Sequence, residues 1–137
     1  MRKDSRLSRV LHVLIHLNSY SHPVTSETLA NMLMTNPVVV RRTMALLRQA
    51  GYVSAIKGHN GGWLLATPLT DITLFDIHQA LGEKNLFVIG LTDEHSNCPI
   101  EYAVNSALQN AMDDAEALLL KRFAEVSLAE LASQFKK

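Results

Sequence analysis

Arg41 and Arg42 stand side by side in the run Thr35-Asn36-Pro37-Val38-Val39-Val40-Arg41-Arg42-Thr43-Met44, and the glycine-rich run Lys57-Gly58-His59-Asn60-Gly61-Gly62-Trp63 follows closely. A guanidinium presents a planar fork of donors that matches phosphate oxygens and the outer edge of guanine. Thr35, Asn36 and Thr43 add neutral hydrogen-bonding groups. Val38 and Val39 could meet thymine methyls if exposed, and are ordinary core if buried. Lys57, His59 and Asn60 offer groups to phosphates or to a minor groove. Asn36 also has a purely structural reading as a helix cap. These residue types, in this order, suit the grooves and phosphates of double-stranded DNA. The candidate contacts are Thr35, Asn36, Val38, Val39, Arg41, Arg42, Thr43, Lys57, His59 and Asn60.

Such groups need elements to hold them. Leu7, Val10, Leu11, Leu14, Ile15 and Leu17 recur at spacings of three and four, which predicts a first helix over 5–19. Ser21-His22-Pro23 ends it, Val24 can form a short strand, and Thr25 or Ser26 caps a second helix. Met34-Thr35 makes a turn. Asn36 caps a third helix with Pro37 at its first position, where a missing N–H costs nothing. That helix buries Val40, Met44 and Leu47 and stops at Gly51. Residues 52–57 and 63–67 read as strands around the glycine-rich turn, which makes a β-wing. The expected fold is mainly α with a small β-wing: a winged helix-turn-helix domain over 1–81, followed by a long C-terminal dimerisation helix.

Thr73 caps a short helix from Leu74 to Leu81. The 82–98 connection is looser and polar, and its middle, Leu86-Phe87-Val88-Ile89, fits neither the helical nor the strand period. A long helix runs from Pro99 to about Phe123, and Ser127-Leu128-Ala129-Glu130 is a capping box opening a last helix to Phe135. The long helix carries Ile100, Val104, Ala107, Ala111 and Leu118 as a stripe of small and large apolar residues. That stripe resembles a coiled-coil seam and is the expected homodimer interface within 99–137. Packing against its own domain is the plainer alternative. An effector, unknown in kind, is expected to act near 82–98, between the reading head and the dimer helix.

Net charge is zero among 137 residues, yet the distribution is lopsided. Residues 1–68 hold eight Lys/Arg against two acids, giving +6, and residues 69–137 hold five against eleven, giving −6. One strongly basic half favours a polyanion as partner. Mutual neutralisation of the halves is the competing explanation. Apolar residues make up 47%, enough for a core. No run is long and apolar enough for a membrane span, and the N-terminus does not resemble a secretory signal. A single cysteine excludes an intrachain disulfide framework and makes the cytoplasm the natural compartment.

Other chemistries find little support. No Ser–His–Asp pattern, phosphate loop or spaced carboxylate pair stands out, so no catalytic residue and no enzyme activity is expected. His12 and His16 lie one helical turn apart, a spacing that can bind metal. Without a carboxylate or cysteine at matching positions, two core-flanking or exposed histidines are expected and no metal site. Cys98 lies just before a helix N-terminus, where the dipole favours a thiolate, so a redox-sensing thiol is a candidate role beside a merely structural one.

Several runs together resemble the Rrf2 family, the IscR/NsrR type of winged-helix transcriptional regulators. They are Pro23-Val24-Thr25, Leu46-Leu47-Arg48-Gln49-Ala50-Gly51-Tyr52-Val53, the Lys57–Trp63 wing, Asp71-Ile72-Thr73-Leu74-Phe75-Asp76-Ile77 and Asn97-Cys98-Pro99. The Thr35–Arg42 run looks most like the cluster-less, YwnA-like branch. The resemblance covers nearly the whole chain. It implies a homodimer on a pseudo-palindromic operator, with each third helix in a major groove and each wing in the flanking minor groove, usually acting as a repressor. Cluster-binding members carry three close cysteines before the long helix. Here only Cys98 is present, so no iron–sulfur cofactor is expected. A winged-helix module that binds protein rather than specific DNA is the alternative, and the basic first half argues against it.

Overall fold

Alternation of apolar residues at three and four puts Val10, Val13, Leu14 and Leu17 on one buried face of the first helix, α1 (Arg6–Leu17). The computed structural model describes residues 6–82, 86–87, 91 and 98–134. After α1 come α2 (Ser26–Leu33), α3 (Pro37–Gln49), β1 (Val53–Ile56), β2 (Gly62–Leu65), a 3-10 turn (Leu69–Asp71), α4 (Leu74–Ala80), α5 (Pro99–Ala124) and α6 (Leu128–Ser133). The expected ends shift by a few residues, as fraying termini do. Phe135, the expected end of the last helix, lies outside the described residues, as do Val88 and Ile89.

Local chemistry sets the boundaries of the two helices that matter most. The Thr25 side chain accepts from the Thr28 N–H and starts α2. Met34 then takes a left-handed conformation, φ 56° and ψ 44°, which turns the chain sharply into α3. Asn36 caps α3 through its Oδ1, which accepts from the Val39 N–H at 3.0 Å. At the other end, the Gly51 N–H donates to Arg48 O and the Tyr52 N–H to Leu47 O, both at 3.0 Å. This is a Schellman close, and its left-handed residue is Gly51 at φ +92°, a conformation that would strain any side chain.

The core gathers between α1, α2, α3 and the segment from the 3-10 turn into α4. Leu14, Leu29, Met44, Leu47, Ile72, Ile77 and Leu128 are its fully buried large side chains. Val40, Met44 and Leu47 form the buried face of α3, as the spacing predicts. Strands β1 and β2 pair antiparallel from Val53 opposite Leu65 to Ile56 opposite Gly62. Val24 adds a bridge on the far side of β2: its N–H donates to Trp63 O at 3.0 Å and its carbonyl accepts from the Trp63 N–H at 2.8 Å.

Both C-terminal helices meet the head. Helix α5 is about 39 Å long at 1.5 Å per residue, and Asn105 is its one buried residue. It touches the head along α4, where the buried His78 meets Phe123 edge-on with ring centroids 6.3 Å apart. Helix α6 then returns to the head. The Leu128 N–H donates to Ile72 O at 2.8 Å, Thr73 and Ser127 form a bridge, and Leu128 is wholly buried. A capping box at Ser127 and Glu130 sets the entry angle of α6. The last helix therefore contributes to the head's core, although the 82–98 connection and α5 separate it from α4 in sequence.

Candidate nucleic-acid interface

The face of α3 turned away from the core carries Val38, Arg41, Arg42, Ala45 and Gln49, all exposed and spaced as one helical stripe. Val38 is 53% exposed despite its apolar side chain. Both arginines lie on this stripe. One guanidinium nitrogen of Arg41 lies 3.9 Å from a carboxylate oxygen of Glu27, with more than half of each side chain in solvent, a pairing worth little. Arg42 makes no ion pair among the described residues. Asn36 is exposed at the N-terminal end of the stripe, with its Oδ1 engaged as the cap. Its amide NH2 brings two further donors.

Thr35, Val39 and Thr43 sit differently. Each is half-buried, and together they line a small cavity between α1 and α3 instead of sharing the exposed stripe. Of the two valines weighed for thymine methyls, Val38 is the exposed one. The exposed Met34, 95% accessible, lies in the turn just before the stripe. Composition gave no reason to single it out, because a left-handed methionine is not foreseeable from residue type. Ala45 and Gln49 were readable from the position of Val38 and Arg42, by continuing the same period.

At the wing, Lys57, His59 and Asn60 are exposed around the turn between β1 and β2. Positive φ falls at Gly58 (93°), Asn60 (62°) and Gly62 (149°). Gly62 has a second constraint, since a Cβ there would sit 2.6 Å from the Val24 carbonyl. The same strand is tied to α2 by Trp63, whose Nε1 donates to Ser26 Oγ at 3.0 Å. Gly62→Ala is therefore expected to break the Val24 bridge and loosen the wing. Amide hydrogen exchange should show faster exchange at Trp63 and Val24, while the core amides of α1 and α3 stay protected. Unchanged exchange at Trp63 would contradict the assignment.

Charge is distributed more narrowly than the sequence count suggests. Of the eight cations in 1–68, Arg41, Arg42, Arg48 and Lys57 are exposed, and Arg6 and Arg9 are half-buried against the head. Arg6 Nη2 donates to Leu81 O at 3.0 Å, which ties α1 to the end of α4. Arg2 and Lys3 lie outside the described residues. Glu27 is the single acid between Ser5 and Thr70. Among the described residues of 1–68, the exposed Lys and Arg side chains are thus on α3 and the wing.

The remaining chemical candidates stay apart from this face. His12 and His16 approach each other, Nε2 to Nε2, at 2.8 Å, so one ring N–H donates to the other nitrogen. Burial first, and the neighbouring His12 second, hold the His16 pKa below its ordinary 6.5. The unfolded chain therefore takes up the His16 proton more readily than the folded one. Stability is full above pH 6.5, declines as pH falls through 6.5 toward the lower folded pKa, and levels off below it. Urea denaturation at pH 8 and pH 5 should show a smaller loss for His16→Gln than for the parent; equal losses would contradict it. Cys98 is exposed at the N-cap position of α5, with no capping bond from its side chain. Ile100, Val104 and Leu118 are 74%, 52% and 71% exposed, and Ala107 and Ala111 are exposed too. The stripe on α5 is therefore uncovered within one chain. No helix among the described residues is long and apolar enough to cross a membrane.

A capped helix whose outer face is cationic, set by a tight turn against a second helix and flanked by a hairpin, defines the winged helix-turn-helix class of DNA-binding regulators. Comparison with known proteins agrees. A family described as the iron-dependent transcriptional regulator Rrf2 matches residues 4–134. The chain belongs to the Rrf2 family of transcriptional regulators. It is similar to a protein of Bacillus subtilis (strain 168) named as an HTH-type transcriptional regulator, YwnA, at 28% identity over 93% of this chain and 95% of that one. A solved transcriptional-regulator structure from Lactobacillus plantarum superposes with a TM-score of 0.82 at 23% identity, covering 94% of this chain and 88% of the other. IscR of T. potens superposes with a TM-score of 0.72 at 16% identity, over 99% and 89% of the two chains.

The family description includes iron, so the donor set bears on what this chain can hold. Cys98 is its single cysteine, and no three His, Cys, Asp or Glu side chains converge among the described residues. Protein-bound iron–sulfur clusters are usually held by about four thiolates. The residues present do not fit a cluster of that kind.

Proposed function

We propose that this Rrf2-family regulator is a homodimeric, sequence-specific DNA-binding protein that occupies a pseudo-palindromic operator as a repressor. The observation that carries this reading is the outer stripe of α3, where Val38, Arg41, Arg42 and Ala45 stand exposed together. Val38 and Ala45 suit thymine methyls, the arginines suit guanine edges or phosphates, and the wing reaches the flanking backbone through Lys57 and His59. Occupying the operator blocks access to the promoter, which requires no catalytic group.

The uncovered stripe of α5 supports the dimer. Burying Ile100, Val104 and Leu118 against a second copy removes apolar surface from water at about 25 cal/mol per Å2. Light scattering at micromolar concentration should give twice the mass of the chain, and Leu118→Asp should shift it toward the monomer. A monomeric parent would remove the palindrome with it.

The function is tested by mobility shift with DNA from upstream of the protein's own gene, at two salt concentrations. A retarded complex that weakens at higher salt is expected, because bound arginines and lysines release counterions. Absence of any complex at low salt would favour a protein-interaction module.

A further inference from the structure

Helix α1 brings together two metal-ligating side chains that the DNA-binding account does not use. His12 is exposed and His16 half-buried, one helical turn apart on a helix whose core face carries Val10, Val13, Leu14 and Leu17. Spacing alone predicted no metal site, for want of a third donor. The ring geometry adds what spacing could not. The ring centroids are 4.5 Å apart and the planes tilted by 52°, yet the Nε2 atoms approach to 2.8 Å, so the rings converge at their Nε2 ends. Packing of α1 against α2, α4, α6 and β2 holds the backbone that carries both.

We infer that His12 and His16 form a chelate for a divalent ion of the nickel(II) or copper(II) kind, each imidazole ligating through Nε2. A metal–imidazole bond is about 2.0 Å long. Two nitrogens 2.8 Å apart then subtend about 90° at the ion, the cis angle of square-planar and octahedral sites. A tetrahedral ion needs its nitrogens about 3.3 Å apart. Imidazole suits nickel and copper, which also stand high in the affinity order of divalent ions. One Nε2–H bridges the pair in the absence of metal. When the ion enters, that ring carries its proton on Nδ1 instead, so both imidazoles stay neutral and both Nε2 lone pairs face the ion.

Water fills the remaining positions, since no third His, Cys, Asp or Glu joins the pair among the described residues. No carboxylate orients either ring, so the affinity is that of two imidazoles held by one helix and not that of a closed protein site. The unfolded chain does not keep the rings at this separation. The ion therefore prefers the folded protein and stabilises it in proportion to its concentration.

Metal binding is measured on the full chain without DNA, so that it stands or falls independently of operator binding. Isothermal titration with nickel(II) chloride near neutral pH should give one ion per chain with a dissociation constant of about 10 μM. Magnesium, which takes oxygen ligands, should give no heat. His12→Gln and His16→Gln should each weaken nickel binding by about tenfold or more, because the second arm of a chelate acts at high effective concentration. His22→Gln should leave it unchanged. Nickel should raise the unfolding temperature of the parent and of His22→Gln, and leave that of the two chelate variants near its metal-free value. Copper(II) on a Cys98→Ser variant, which lacks the thiol that would reduce the ion, should show two equatorial imidazole nitrogens by pulsed electron paramagnetic resonance. His12 is exposed, so His12→Gln decides the matter should His16→Gln fold poorly. No saturable nickel heat, undiminished binding to a folded His12→Gln variant, or a single coordinated imidazole would each overturn the site.

Discussion

Replacing Arg42 by alanine is expected to weaken operator binding by about 1–3 kcal/mol in each half-site if the guanidinium forks onto a guanine. If it holds a phosphate instead, the loss is spread over all sequences and the salt slope falls by about one per half. Fluorescence anisotropy at several salt concentrations separates the two. Arg41→Ala should cost less than Arg42→Ala, because Arg41 already lies 3.9 Å from Glu27 and must leave that carboxylate to reach DNA. By the same logic Glu27→Gln should tighten binding, since it removes the carboxylate beside Arg41. Neither arginine is in the core, so circular dichroism and thermal unfolding should be unchanged in both variants. Identical affinity of Arg42→Ala and the parent would remove α3 as the reading element.

The second large effect is on stability and comes from the far end of the chain. Leu128→Ala should destabilise the protein by about 2–5 kcal/mol, the range for removing a fully buried leucine from a packed core. Its side chain is wholly buried, and its backbone N–H is held by Ile72 O at 2.8 Å. Truncation leaves a cavity beside the segment that leads into α4. A loss of that size is a large share of the total stability of a small domain. Urea denaturation followed by circular dichroism measures it. A cost below about 1 kcal/mol would mean that α6 does not pack into the head in solution. Leu131→Ala, at a half-buried site on the same helix, should cost less.

Much of the reading head was legible in the residues themselves. Asn36 followed by Pro37 marks a helix start because each satisfies or avoids an unpaired N–H, and Gly51 marks its end because only glycine enters the left-handed close cheaply. The period through Val40, Met44 and Leu47 located the buried face of α3, which left at least one of the adjacent arginines to face outward; the structure exposes both. The wing was legible from its glycines and the apolar strands on either side. The structure refined it, adding a positive φ at Asn60 and giving Gly62 a steric role against Val24.

What escaped depends on contacts between distant segments. Nothing in the spacing of α1 says that Arg6 reaches Leu81 or that Arg9 borders a cavity. Val38 and Val39 are the same residue type at adjacent positions, and only the seating of α3 on α1 decides which faces out. Helix α6 carries its own capping box, so its existence was plain; its docking beside Ile72 was not, because α5 intervenes. Met34 is exposed in a left-handed turn, a backbone conformation that its residue type disfavours.

The central claim is that the outer stripe of α3, used twice by a dimer, reads a two-fold symmetric DNA sequence. Selection of bound duplexes from a random-sequence pool, followed by sequencing, tests it most directly. The expected result is an enriched inverted repeat whose half-site centres lie about one helical turn, 10–10.5 base pairs, or a multiple of it apart, with the enrichment lost in Arg41→Ala/Arg42→Ala. Enrichment of a single asymmetric site, or no enrichment over the input pool, would contradict it.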